Sequence, residues 1–95
     1  MKQMNLREEL ERWHPESFGW ALHLCDGNPE EAGEILQEVY LKILDGRARF
    51  GGASSFKTWL FAVIRNTTAE QVLVKALRLI ETILGGKKGP EDKPK

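Results

Sequence analysis

The sequence predicts an all-α fold, a small domain of three to four helices ending in one long C-terminal helix. Three observations lead there. Apolar residues recur at three- and four-residue spacing through most of the chain, and no stretch shows the two-residue alternation of a strand. Good helix caps stand immediately before the periodic segments, and glycines stand after them. At 95 residues, with 41% apolar and 29% charged side chains, the chain has material for one modest core and no more.

The first helix is expected over Asn5–Arg12. Asn5 supplies the cap, Glu8 follows three residues later, and Leu6 and Leu10 share a face. Pro15 breaks it, because proline disfavours helix at the residue before it, here His14. A second helix then starts near Pro15. It carries Phe18, Ala21, Leu22 and Cys25 on one side, widened by Trp20 and Leu24, and stops at Asp26-Gly27, where glycine supplies a left-handed residue.

The third helix has the clearest start. Asn28 is a cap, Pro29 suits the first turn, and Glu31 completes an Asn-x-x-Glu capping box. Its apolar stripe runs Ala32, Ile35, Leu36, Val39, Tyr40, Ile43 and Leu44, and Gly46 closes it. Glu34, Gln37, Glu38 and Leu41 lie together on the other side.

After a loop rich in glycine and arginine, Ser54 or Ser55 caps the fourth helix. Phe56, Trp59, Leu60, Phe61, Val63 and Ile64 make its first half apolar almost all round, which implies burial; these aromatics read as core rather than as stacking platforms. A polar patch of Arg65, Asn66, Thr67 and Thr68 follows. With no proline or glycine to stop it, the helix is expected to run on to Leu84, where Gly85-Gly86 ends it. Residues 1–84 form the domain. Residues 85–95, a Gly/Pro/Lys segment without an apolar residue, are expected to be a disordered tail or the start of a linker.

Charge and cysteine content narrow the function. The net charge is zero, but residues 1–50 carry six basic against ten acidic side chains, whereas both 51–84 and 85–95 are net positive by two. An acidic front and a basic rear suggest two surfaces with different partners. No apolar run approaches the roughly 20 residues that span a bilayer, and Met1–Asn5 lacks an apolar signal core, so a cytoplasmic location without membrane contact is expected. The lone cysteine, Cys25, fits a reducing compartment. His14, His23 and Cys25 lack paired ligand spacing, Gly51-Gly52 lacks the lysine of a phosphate loop, and no nucleophile–base arrangement is visible. No metal, cofactor or enzyme activity is expected.

Two separated motifs then carry a resemblance. Leu36-Gln37-Glu38-Val39-Tyr40-Leu41-Lys42 is similar to a Val-Gln-Glu-Val-Phe-Leu-Arg run. Phe50-x-Gly52-x-Ser54-Ser55-Phe56-x-Thr58-Trp59-Leu60-Phe61, followed by Arg65-Asn66, matches a second signature nearly position for position. Both belong to region 2 of bacterial sigma factors of the extracytoplasmic-function type, which the chain resembles from about Trp13 to Glu70. The resemblance implies a domain that binds the clamp helices of the RNA polymerase β′ subunit and recognises and melts the minus-ten promoter element. It implies that Glu34, Gln37, Glu38 and Leu41 face polymerase. Phe50, Gly52, Ser54 and Ser55 would capture a flipped base of the non-template strand, with Lys57, Arg65 and Asn66 contacting DNA nearby. An anti-sigma protein is a further partner that the resemblance implies.

The chain departs from that pattern after Asn66. Residues 69–84 hold two cations against two acids where the family carries several basic residues, and no helix-turn-helix follows. Instead Ala69, Leu73, Ala76, Ile80 and Ile83 form a heptad-like seam, broadened by Val72, Leu77, Leu79 and Leu84. Two outcomes are open. Either Val72, Leu73, Ala76, Leu77, Ile80, Ile83 and Leu84 mediate self-association or docking of a partner helix, or the segment folds back on the first helix. A helical oligomerisation or sequestration module on a sigma scaffold is therefore the alternative to a promoter-opening domain.

Overall fold

A computed structural model describes residues 5–84. They form α1 (Leu6–Arg12), α2 (His14–Leu24), α3 (Pro29–Leu44) and α4 (Phe56–Leu84), with no strand among the described residues, as the periodicity predicts. The expected stop at Gly85-Gly86 and the tail over 85–95 lie outside the described residues. Among the described residues, no helix is long and apolar enough to cross a membrane.

Local chemistry sets each boundary. The Asn5 side chain accepts from the Glu8 N–H at 3.2 Å, and Trp13 alone separates α1 from α2. With Pro15 in its first turn, α2 begins one residue earlier than expected, at His14. It ends in a double reverse bond, Gly27 N–H to Leu22 carbonyl at 2.8 Å and Asp26 N–H to His23 carbonyl at 3.3 Å. The left-handed position is shared: Asp26 has φ 56° and Gly27 φ 82°, so the aspartate takes the conformation expected of the glycine alone. The Asn28 side chain caps α3, accepting from Glu30 and Glu31 N–H at 3.0 and 3.1 Å. The Glu31 carboxylate instead lies 3.2 Å from the Lys75 ammonium, tying the start of α3 to α4. Gly46, at φ 85°, follows the C-cap of α3. Of the two candidate serines, Ser55 caps α4, its Oγ accepting from Thr58 N–H at 3.1 Å.

The core lies where α2, α3 and the first half of α4 meet, with Leu10 of α1 closing one end. It is built on Ala21, Ala32, Ile35, Leu36, Val39, Ile43, Phe56, Leu60 and Ile64, all buried. Small residues at Ala21 and Ala32 let the helices approach closely. Trp20 adds a directional tie: its indole N–H donates to the Phe61 carbonyl at 3.0 Å while its ring stacks on Phe61 at 5.7 Å.

Two expectations about the core are corrected. Leu44 belongs to the sequence's apolar stripe but is 58% exposed. At 3.6 residues per turn it sits roughly 120° round from Ala32, beyond the edge of the α2–α4 contact. Thr67 and Thr68, read as part of a polar patch, are buried. The Thr68 hydroxyl donates to the Ile64 carbonyl at 2.8 Å, and Thr67 Oγ1 accepts from the Lys42 ammonium at 3.0 Å. The Thr68 hydroxyl is thus satisfied within its own helix and that of Thr67 from α3, and the helix passes through this run unbroken. Ser17 is likewise fully buried; its hydroxyl lies near the Tyr40 phenol, but no hydrogen bond of good geometry reaches it among the described residues.

The fold-back alternative for residues 72–84 is overturned. Every residue from Val72 to Leu84 is exposed in the monomer, and α4 runs unbroken to Leu84 without packing on α1. At about 1.5 Å per residue its 29 residues span roughly 44 Å, longer than the body beneath it.

Candidate nucleic-acid and polymerase interfaces

Three surfaces hold the predicted site residues. On α3, Glu34, Gln37 and Leu41 project roughly opposite the buried stripe and are exposed, with Glu38 half-buried beside them. The Arg47 guanidinium reaches back to this face, 3.6 Å from Glu38 and 2.8 Å from Asp45. The backbone N–H of Arg47, and then its guanidinium, hold the Asp45 carboxyl below the usual carboxylate range. Glu38 is therefore partly neutralised from within, whereas the acidic character of the surface is carried most openly by Glu34. With Leu41 51% exposed at its centre, the face is an apolar spot rimmed by acid and amide groups.

The second surface runs from the loop before α4 along that helix. Phe50 packs edge-on against Phe56 and tilted against Trp59, both at 5.5 Å, so the phenyl ring anchors the loop to the core. That anchoring leaves Gly51, Gly52, Ala53, Ser54 and Ser55 as an exposed collar around the N-terminus of α4. Gly52 has φ 82°, a conformation that disfavours any side chain, which accounts for a glycine at this turn. Beside the collar a cleft of about 470 Å³ is lined by Ala48, Arg49, Phe50, Trp59 and residues of α1 and α3. Phe56 and Lys57 N–H groups lie in the first turn, where an α-helix has no internal acceptors for them.

Further along α4, Thr58, Arg65 and Asn66 are exposed on the side away from α2 and α3. Lys57 stands apart from them. Its ammonium lies 5.4 Å from the Trp13 ring centre and 5.5 Å from that of Phe61, held toward α2 by two cation–π contacts. The structure thus brings the collar, Thr58, Arg65 and Asn66 onto one side of α4, with Lys57 at its edge. About 16 Å of helix axis separates Ser55 from Asn66. Thr58 belongs to the sequence signature without a role of its own there; its three-residue spacing from Ser55, whose hydroxyl it meets at 2.9 Å, is the signal for one. Lys42 carries no local sequence signal of its structural role, because the Thr67 hydroxyl it binds lies in a run whose polarity points to solvent.

The third surface is the projecting half of α4. Val72, Leu73, Leu77, Leu79, Ile80, Ile83 and Leu84 are 49–76% exposed. His14, weighed as a ligand in the sequence, instead places Nδ1 2.8 Å from the Tyr40 hydroxyl; burial raises the Tyr40 phenol above its ordinary pKa.

Comparison with known proteins adds one finding. The family model for sigma-70 region 2 matches residues 10–78, which spans α2, α3, the loop and all but the last turns of α4. No curated protein and no solved structure matches the chain.

Proposed function

The chain belongs to the sigma-70 region 2 family of transcription-initiation domains, and from that premise we propose that it binds RNA polymerase core through α3 and reads single-stranded minus-ten DNA through the collar and α4. In this reading Glu34, Gln37, Glu38 and Leu41 meet the basic clamp helices of the β′ subunit. An exposed leucine ringed by acid and amide groups suits such a surface, the charges orienting the encounter and the leucine burying at its centre. Phe50 holds the Gly52–Ser55 collar in place, and the collar receives an extruded base of the non-template strand. Small residues there let base edges reach backbone groups, as single-strand readers require. Asn66 offers a donor and an acceptor to a base, and Arg65 supplies positive charge to the phosphates, while Lys57, held over Trp13 and Phe61, adds charge only from the edge of this surface.

The observation that carries this proposal is the division of labour on α4. Phe56, Leu60, Ile64 and Thr67 face the body, while Thr58, Arg65 and Asn66 face away from it, on the side where Ser55 of the collar meets Thr58. The test is fluorescence anisotropy of a labelled non-template minus-ten strand in the presence of polymerase core. Sequence-dependent binding is expected, and Asn66→Ala should lose the sequence dependence. Arg65→Ala should weaken all sequences alike and lower the salt slope by about one. Binding indifferent to sequence in the wild-type protein would refute the assignment.

A further inference from the structure

The amphipathic sense of α4 reverses along its length. At about 100° per residue, the buried Phe56, Leu60, Ile64 and Thr67 centre on one side, and Leu73, Ala76, Ile80 and Ile83 centre roughly 180° away. The line of the core-facing side is continued past Gln71 by Lys75, Arg78 and Thr82, which are polar. The exposed apolar stripe therefore lies on the same side of the helix as Thr58, Arg65 and Asn66.

Traced upstream, that stripe keeps its four–three spacing through Ala62, Asn66, Ala69, Leu73, Ala76, Ile80 and Ile83. These are three heptads of alternating core positions, none of them in the body's buried core. Asn66 falls at the position where a single buried asparagine fixes a parallel two-stranded register. Arg65 and Glu70 fall at the two flanking positions that pair between parallel strands, five residues apart, so each Arg65 would meet the partner's Glu70. Glu70, 63% exposed at its side chain, already accepts from Lys42 at 2.7 Å, and a carboxylate has acceptor sites left for a guanidinium. An antiparallel pairing in the same stripe sets Glu70 against leucines. The body docks on the far side of α4 and leaves the seam clear.

We propose that α4 pairs in parallel with α4 of a second copy along Ala62–Ile83, and that this dimer covers Arg65 and Asn66, so that it cannot hold single-stranded DNA. At roughly 100 Å² for each of seven exposed aliphatic side chains, about 700 Å² per copy is available, close to the ~800 Å² per partner of a standard interface. The pairing stands on the seam alone; only the exclusion of DNA rests on the function proposed above. Dimer formation then withdraws the DNA-reading residues, and the monomer is the DNA-binding species.

Sedimentation equilibrium on the full chain tests the pairing, with far-UV circular dichroism as a check on folding. A dimer is expected. Ile80→Glu, at an exposed position, should weaken it at least about 100-fold by setting two acids against each other in the seam. Arg65→Glu should weaken it about fivefold, and Arg65→Glu with Glu70→Arg should restore it. Ala62→Cys should form an intermolecular disulfide, which an antiparallel pair cannot make, above the background set by Cys25 in the wild type. A monomer at all concentrations overturns the proposal, as does a dimer that Ala62→Cys fails to cross-link or that Ile80→Glu leaves intact. For exclusion, the probe is a fluorescein-labelled randomised single-stranded DNA. Ile80→Glu should bind it more tightly than wild type at concentrations where wild type is dimeric. Equal binding by both overturns exclusion. Binding by neither refutes the DNA reading, while the cross-link still decides the pairing.

Discussion

Lys42 ties α3 to α4 through two side-chain contacts, and its removal has a calculable effect. Its ammonium is 3.0 Å from Thr67 Oγ1 and 2.7 Å from Glu70 Oε1, with only 17% of the side chain exposed. Lys42→Met keeps the aliphatic stem and deletes the charge. The Thr67 hydroxyl, fully buried, then has no donor, a loss of about 1–3 kcal/mol. The pair with the largely exposed Glu70 contributes no more than about 0.5 kcal/mol. Relief from desolvating the ammonium offsets a fraction of the total, leaving a net cost of about 1–2 kcal/mol. For a domain of this size each kcal/mol lowers Tm by roughly 4–8 °C. Thr67→Val removes the stranded hydroxyl at constant shape, so Lys42→Met with Thr67→Val should recover about 1 kcal/mol relative to Lys42→Met alone. Urea unfolding followed by circular dichroism measures all three, best in the Ile80→Glu background where association does not add concentration dependence. A Lys42→Met cost below about 0.5 kcal/mol, or strictly additive single changes, would refute the account.

Two further outcomes follow from buried groups. Ser17→Ala removes a buried hydroxyl that makes no hydrogen bond of good geometry and improves helix propensity, so it should stabilise the domain by about 0.5 kcal/mol, seen as a higher urea midpoint at unchanged m. Burial, reinforced by Glu31, raises the Cys25 thiol above its ordinary 9.0. The thiol stays protonated at neutral pH, and iodoacetamide should label the folded protein at least about tenfold more slowly than the unfolded chain. Because the unfolded chain loses that proton first, this group's contribution to stability is intact below about pH 9 and declines as pH rises further; Cys25→Ala should flatten that part of the pH–stability curve.

Helix number, order and caps were legible in the sequence because each is decided within a few residues. Asn5, Asn28 and Ser55 accept from N–H groups two or three positions away, and Pro15 and Pro29 fix their own first turns. The misses arise where a partner distant in sequence decides the outcome. Thr67 looks solvent-facing until Lys42, 25 residues earlier, is found above it. Glu31 reads as half of a capping box until Lys75, 44 residues later, takes its carboxylate. Leu44 reads as core until the end of the α4 contact leaves it in solvent. The predicted DNA-facing residues divide in the same way: Arg65 and Asn66 could be placed by spacing, whereas the anchoring of Phe50 and the diversion of Lys57 onto Trp13 and Phe61 required the third dimension.

The same distinction explains why the apolar half of α4 was ambiguous. From Val72 onward the spacing alone is consistent with a core helix or an association helix, since both need a continuous stripe. What separates them is phase relative to the first half. A stripe continuing the line of Phe56, Leu60 and Ile64 would have extended the intramolecular core over whatever lay below. The stripe instead sits half a turn away, and Lys75, Arg78 and Thr82 occupy the line that the body would have covered. No rotation of a single rigid helix can satisfy both halves against one body. Burial of the second stripe therefore requires a surface from outside the monomer, approaching over Arg65 and Asn66. On the proposed reading, that geometric conflict, rather than the number of exposed leucines, is what would couple association to DNA access.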